Sequence, residues 1–239
     1  MRAYRTDRPT PQYIIIAFLD SFPPRLDANQ SAAYAQTALA NESNKMTDDD
    51  ILNEFRAADA LLEGHFILSS GLRSPKYLQC ARVLMNPARA ARLAQEIACR
   101  IPADIRSQID AVISPAMGGI IIGHEMGRAL GKDAFFLERP DGVFELRRGF
   151  SVAPGRRVLM VEDVVTTGLS SREAIAAVNR AGARVIAEAA LVDRSCGSAD
   201  LGVPFFPLIR IDVPTYAANA LPPELAAIPA IKPGSRKDD

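Results

Sequence analysis

At 239 residues the chain suits one domain of about 100–200 residues with an appendage. Hydrophobic residues make up 48% against 23% charged, a balance that excludes a disordered or fibrous chain. Lys plus Arg and Asp plus Glu cancel at 28 each, so no overall positive field exists to gather nucleic acid or an anionic membrane, and any phosphate chemistry must be local.

Residues 13–22, YIIIAFLDSF, have a greasy centre. The run is shorter than the roughly 20 residues a bilayer span needs, and no small-residue cleavage pattern follows, so neither an anchor nor a signal peptide is expected. From 20 to 45, prolines, polar residues and alanines carry no sustained period, which reads as a linker or disordered arm. The chain therefore divides into residues 1–45, a disordered or weakly docked extension, and residues 46–239, the folded domain. The extension is either dispensable or a docking arm.

The domain opens on MTDDDILNEFRAADALLEG. Thr47 can cap a helix, three aspartates sit at its positive end, and Ile51, Leu52, Phe55, Ala58, Leu61 and Leu62 make one apolar stripe. HFILSSGLRSPKYLQC reads as extended segments about a turn, and Asn86-Pro87 caps a helix running to about Arg100. In DAVISPAMGGIIIGHEMGRALG a β-branched run at 111–114 passes through a Pro/Gly turn into a helix that Gly131 can end, with His124 on its surface. After AFFLERP, Asp141-Gly142 separates two strand-like runs, so residues 136–150 read as a protruding β-arm. RVLMVED is a buried, parallel kind of strand, residues 170–181 form a helix ended by Gly182, and RVIAEAALVD is a further strand. This alternation implies an α/β fold, a mostly parallel central sheet flanked by helices. Cys80, Cys99 and Cys196 are widely spaced without a CxxC pair, which favours a reducing cytoplasm over a disulfide framework. With only His65 and His124 besides, no protein-held metal centre is assigned.

In an open α/β sheet, ligands collect where strands end and helices begin. Glu162 and Asp163 stand at such a place, and Thr166, Thr167, Gly168 and Ser170 lead from them into a helix. Exposed backbone N–H groups, hydroxyls and the positive helix end can hold a phosphate there without a Lys. The carboxylates cannot face that phosphate. They can accept hydrogen bonds from vicinal hydroxyls one sugar ring away, so the stretch suits a ribose 5-phosphate. Taken singly, each element is equally a polar strand end or a helix cap. Neither GxxxxGK[ST] nor GxGxxG occurs, which argues against a nucleoside-triphosphatase or dinucleotide site.

VLMVEDVVTTGLSS resembles the phosphoribosyl pyrophosphate signature of type I phosphoribosyltransferases, with Leu169 where many members have Gly or Thr. GHFILSSGLRSPKYLQ is similar to the amino-terminal hood of the orotate phosphoribosyltransferases, VDRS at 192–195 to the Asp-Arg step after the last core strand, and ISPAMGG to the pyrophosphate loop. The resemblance runs from 46 to about 212. It implies the type I phosphoribosyltransferase fold with an N-terminal hood and a protruding β-arm. It also implies transfer of the 5-phosphoribosyl group from phosphoribosyl pyrophosphate to orotate, in pyrimidine (UMP) synthesis, with Mg²⁺, by a cytoplasmic homodimer. Residue by residue it makes Glu162, Asp163, Val164, Val165, Thr166, Thr167, Gly168, Leu169 and Ser170 the phosphoribosyl pyrophosphate site. Thr166, Arg194 and Tyr77 bind orotate, residues 69–77 help form the base site, and Ala116, Met117, Gly118 and Gly119 are the pyrophosphate loop. Arg194 offers the planar, bidentate donor that orotate's carboxylate prefers and that a purine would leave unpaired.

The chain departs from the family in its cations. Relatives often carry Lys in the loop corresponding to 114–119 and at the position of Ser69, and Lys and His in the mobile catalytic loop. Here ERPDGVFELRRGF supplies Glu138 with Arg139, Arg147 and Arg148, so these three arginines are assigned to catalysis. Two other readings stay open. One is a purine phosphoribosyltransferase of the same fold. The other is a non-catalytic sensor of phosphoribosyl pyrophosphate, which would bring a nucleic-acid-binding element that this neutral chain does not display.

Overall fold

The computed structural model describes residues 45–68 and 70–233. The expected extension therefore lies outside the described residues, apart from Lys45, and so does Ser69.

Thr47 caps α1 (Asp48–Ala57) as its position predicts: its hydroxyl accepts from Asp50 N, and the Asp50 carboxylate accepts from Thr47 N. The apolar stripe stops sooner than expected. Asp59 turns into the left-handed region at φ 49°, Ala60 N donates to Phe55 O, and Leu61 and Leu62 begin a strand instead. Asp tolerates that backbone better than most side chains, so the helix ends here.

β1 (Leu61–Ile67) and β2 (Arg73–Leu78) pair antiparallel as the hood. The carboxyl-terminal part of the chain straps it through bridges of Phe66 with Ile231 and Arg73 with Tyr216. Short α2 (Cys80–Leu84) leads to α3 (Pro87–Arg100), capped by Asn86, whose side chain accepts from Arg89 N, and to α4 (Ala103–Arg106).

The central sheet follows in alternation: β3 (Ala111–Pro115), α5 (Gly119–Leu130), β4 (Ala134–Glu138), β5 (Glu145–Leu146), β6 (Arg157–Val165), α6 (Leu169–Arg180), β7 (Arg184–Asp193) and β8 (Phe205–Arg210). Strand order is β5-β4-β3-β6-β7-β8, and every neighbouring pair except β4 with β5 is parallel. A single turn, α7 (Pro223–Ala226), lies near the carboxyl end. The sequence reading places no element at FFPLIR, which forms β8 with Pro207 inside it. The strand is at the sheet's edge, where a missing N–H can face outward without breaking a ladder.

Alternate residues of β6 serve different cores. Leu159 and Val161 pack with Ile51, Leu93 and Ile122 on the α1, α3 and α5 face, whereas Val158 and Met160 pack with Ala174 and Val178 under α6. Each fully buried Leu, Ile or Val contributes about 1.5–3 kcal/mol, so a one-residue slip would be costly and the register is fixed. That register also decides which way the acids at the end of β6 face.

The hairpin at 136–150 is shorter in its pairing than its sequence signal. Leu137 pairs with Leu146 and Glu138 with Glu145, and Phe144 is buried against the body. The ring of Phe150 lies 5.5 Å from Phe135 and 5.2 Å from Phe136, closing the base and leaving 139–143 as the exposed tip. Among the described residues no helix is long and apolar enough to cross a membrane.

Candidate active site

β6 continues through its two acids to Val165, so they sit inside the strand and not beyond it. Strand alternation sends them to opposite faces. Asp163 lies against the loop after β3: a Cβ on Gly118 would come 2.5 Å from Asp163 Oδ2. Its Oδ1 accepts from Val164 N at 2.9 Å, and its main-chain oxygen accepts from the Cys80 thiol at 3.9 Å. Burial raises the Asp163 pKa. Glu162 faces α6, buried, with the Ser170 hydroxyl beside it and the charge of Arg139 within reach. Burial, then the neighbouring Glu188 and Asp163, push its carboxyl up to about 9.

Beyond Val165 the chain turns sharply. Gly168 takes a left-handed φ of 72°, and a Cβ there would fall 2.5 Å from Leu201 Cδ2, so backbone and packing both require glycine. Arg172 braces the turn, its Nη1 donating to Thr167 O at 3.2 Å and Asp200 O at 2.9 Å. Thr166, Thr167, Leu169 and Ser170 are exposed; Gly168, the residue before α6, offers no capping side chain, and Thr167 Oγ1 accepts from Leu169 N at 3.4 Å. The N–H groups that follow in the first turn can meet an anion.

Across the strand end, Asp193 organises the turn that carries Arg194. Fully buried, its carboxylate accepts from Ser195 N at 2.7 Å, Ser195 Oγ at 2.6 Å, Gly197 N at 3.0 Å and Arg210 Nε at 3.3 Å. Arg194 N donates to Val165 O at 2.8 Å, tying this turn to the end of β6. The Arg194 side chain is half-buried and its Nε has no partner among the described residues; burial draws its pKa down. Cys80 joins the two acid and base partners: burial holds its thiol well above the ordinary range, and the charges of Asp163 and Arg194 both reach it. A buried donor without an acceptor costs about 1–3 kcal/mol, so this corner favours a ligand bearing one, a carboxylate best of all.

The remaining predicted residues are placed less uniformly. In the loop of Ala116, Met117, Gly118 and Gly119, the Met117 side chain is exposed and both glycines approach β6, a Cβ on Gly119 falling 2.9 Å from Val161 O. Tyr77 stacks on Phe66 of the hood at 5.7 Å, in a groove with Leu62, Met85 and Ile231. Each of the three arm arginines meets a carboxylate: Arg139 meets Glu173 at 2.6 Å, while Arg148 and Arg147 meet Glu138 at 2.6 and 3.8 Å. The Arg139 guanidinium also lies 3.9 Å over the Phe144 ring. Sequence reasoning missed Cys80, for which the chain offers no signal, and Glu188, the one acid inside an otherwise apolar stretch of β7.

A mostly parallel sheet whose central strand ends in two acids and a glycine turn, with an arginine across that end whose Nε is unpartnered among the described residues, defines a type I phosphoribosyltransferase domain. Residues 81–202 match the phosphoribosyl transferase domain family. The chain is 74% identical over 191 residues to the orotate phosphoribosyltransferase of Rhizorhabdus wittichii, spanning 80% of this chain and 97% of the relative. It is 70% identical over 191 residues to that of Novosphingobium aromaticivorans, spanning 80% and 98%. A crystal structure of orotate phosphoribosyltransferase from Aeropyrum pernix superposes with a TM-score of 0.55 at 24% identity, over 67% of this chain and 93% of that one, a likeness of fold. The chain belongs to the orotate phosphoribosyltransferase family.

Proposed function

We propose that the chain transfers the 5-phosphoribosyl group from phosphoribosyl pyrophosphate to orotate, giving orotidine 5'-monophosphate and pyrophosphate. The observation that carries the choice of base is Arg194, half-buried, with an Nε that has no partner among the described residues and a charge that reaches Cys80. Orotate has a carboxylate adjacent to its reacting nitrogen, and a guanidinium recognises a carboxylate through two parallel bonds. Adenine, hypoxanthine and xanthine have no such group.

In the reaction the N1 lone pair of orotate forms a bond to C1 of the sugar as the C1–O bond to pyrophosphate breaks. The bond's electrons leave with pyrophosphate, and the N1 proton goes to water. C1 passes through an oxocarbenium-like state, as in other glycosyl transfers. The turn at 166–170 holds the 5-phosphate through main-chain N–H groups and hydroxyls, and Glu162 and Asp163 approach the ribose from its two sides. Arg194 orients orotate, and the 116–119 loop receives the departing pyrophosphate. Catalysis is then positioning plus neutralisation of developing charge.

Mg²⁺ belongs to this reading as part of the donor. It takes phosphate oxygens and water in preference to a protein cage. Bound to the donor, it would spread the charge of the leaving pyrophosphate. Arg139, Arg147 and Arg148 would add to that once released from Glu173 and Glu138, with the hairpin closing over a neighbouring subunit's site in a cytoplasmic homodimer.

The test is a spectrophotometric assay of orotate consumption with phosphoribosyl pyrophosphate and Mg²⁺, with pyrophosphate release measured for adenine, hypoxanthine and xanthine in parallel. Turnover with orotate is expected. Turnover with a purine and none with orotate would reassign the base.

A further inference from the structure

The sheet face under α6 holds an acidic side chain that the transfer reaction as described does not use. Glu188, in the middle of β7, is 0% exposed, and among the described residues neither carboxylate oxygen meets a donor at bonding geometry. The register sets Glu188 beside Met160 and Glu162 beside Ala190. Glu162 and Glu188 therefore point to the same face of adjacent strands, one pleat step apart. Their surroundings are otherwise apolar: Ile113, Ala174 and Ile175 belong to the same core, and β8 sets Phe205 beside Glu188. From α6, the Ser170 hydroxyl lies by Glu162 and the Ser171 hydroxyl by Glu188, near but outside bonding geometry to the latter. The other charged groups reaching Glu162 are Asp163 on its own strand and Arg139 from the hairpin, itself held by Glu173 of α6.

Two carboxyls on one apolar face resist ionising together, because burial and mutual repulsion both favour the neutral form. Burial raises Glu188 to about 7, and burial with the added charge of Glu188 raises Glu162 to about 9. We propose that Glu188 is a positioning residue acting through Glu162: the pair retains protons before the phosphoribosyl donor arrives, and seating the donor's ribose hydroxyls on Glu162 expels one. This rests on Glu162 being a ribose-binding acid. Hydroxyls that donate to a carboxyl stabilise its ionised form, and the amino end of α6 with Arg139 favours the same charge. Glu188 sets the threshold, so donor affinity rises with pH across neutrality.

Calorimetric titration with phosphoribosyl pyrophosphate in buffers of different ionisation enthalpy counts the protons released. The wild-type chain should release most of one proton at mildly alkaline pH. In Glu188→Gln and Glu188→Leu the count should drop by half or more, and the inflection of donor affinity with pH should move down by about one unit. Leu removes every polar atom and guards against a Gln variant that folds poorly. A second measurement needs no substrate. A carboxyl whose folded pKa lies above its ordinary 4.5 binds more protons folded than unfolded, so the wild type should lose stability as pH rises from there through 7 and toward 9. Both variants should flatten that slope. A wild-type chain that binds no donor overturns the transferase reading and the coupling with it. A chain that binds the donor, with proton count and stability slope the same in both variants as in wild type, overturns the coupling alone.

Discussion

The two ends of β6 treat charge in opposite ways. At the amino end Arg157 grips Asp110 with a fork, Nε to Oδ2 and Nη2 to Oδ1 each at 3.1 Å, and its main-chain N adds a third bond at 2.9 Å. That guanidinium holds the Asp110 carboxyl below its usual range. At the carboxyl end Glu162 and Asp163 are raised, and Arg194 keeps an Nε without a partner among the described residues. The residue types are alike, but one end is completed within the chain and the other is left open. Completed charge is architecture, whereas open charge in a partly buried corner is reserved for a ligand.

The largest expected effect comes from breaking the open end. Arg194→Ala should cost about 2–5 kcal/mol of orotate recognition, roughly a 30- to 5,000-fold fall in kcat/KM for orotate, with the donor's KM changed far less. Equal effects on both substrates would remove Arg194 from the base site. Asp163→Asn should lower use of the donor by about 10- to 100-fold, the size of a lost charged hydrogen bond, and steady-state kinetics with the donor varied would reveal it. Gly118→Ala is a steric version of the same attack, because its Cβ would lie within 2.7 Å of three atoms of the Asp163 carboxyl. Overpacking of this kind costs about 1–3 kcal/mol and should raise the donor's KM about tenfold, without changing any charge.

The closed end should respond differently. Arg157→Ala should leave both KM values and kcat unchanged. Its effect belongs to the acid limb of stability: a carboxylate held below its ordinary 3.8 contributes stability that is present above that pH and drains as pH falls through the folded value. Thermal unfolding in acid should show this slope in the wild type and a flatter one in the variant. The two ends would then have opposite pH signatures, one lost toward acid and the other, at Glu162 and Glu188, lost toward alkali. Smallest of all, a chain beginning at Met46 should keep its kinetics within about twofold, since the Thr47 cap and the elements after it stay intact. A larger loss would make the extension a docking arm.

Much of the fold was legible because its signals are short-range. The Thr47 cap acts on Asp50, the Asn86 cap on Arg89, and the glycine turn at Gly168 on the helix that starts at the next residue. Leu61 and Leu62 misled the helical stripe because Asp59 turns the backbone, and β8, with Pro207 inside it, was not legible because nothing local says that a strand lies at an edge. At the site, Glu162, Asp163 and the turn after them were recognisable as a unit. Their divergence to opposite faces was not, because it follows from which core each neighbour on β6 enters.

By itself the sequence determined the alternating elements, their caps, the acid-and-glycine turn and the family they mark, since each depends on residues a few positions apart. Only the tertiary structure decided which charges are satisfied. Cys80 reaches Asp163 across 83 positions, Glu188 comes beside Glu162 through the pairing of two strands, and Arg157 finds Asp110 while Arg194 is left with an open donor. Desolvation and the supply of partners are set by neighbours in space, so a carboxyl's protonation and an arginine's availability become readable once the strands are in register.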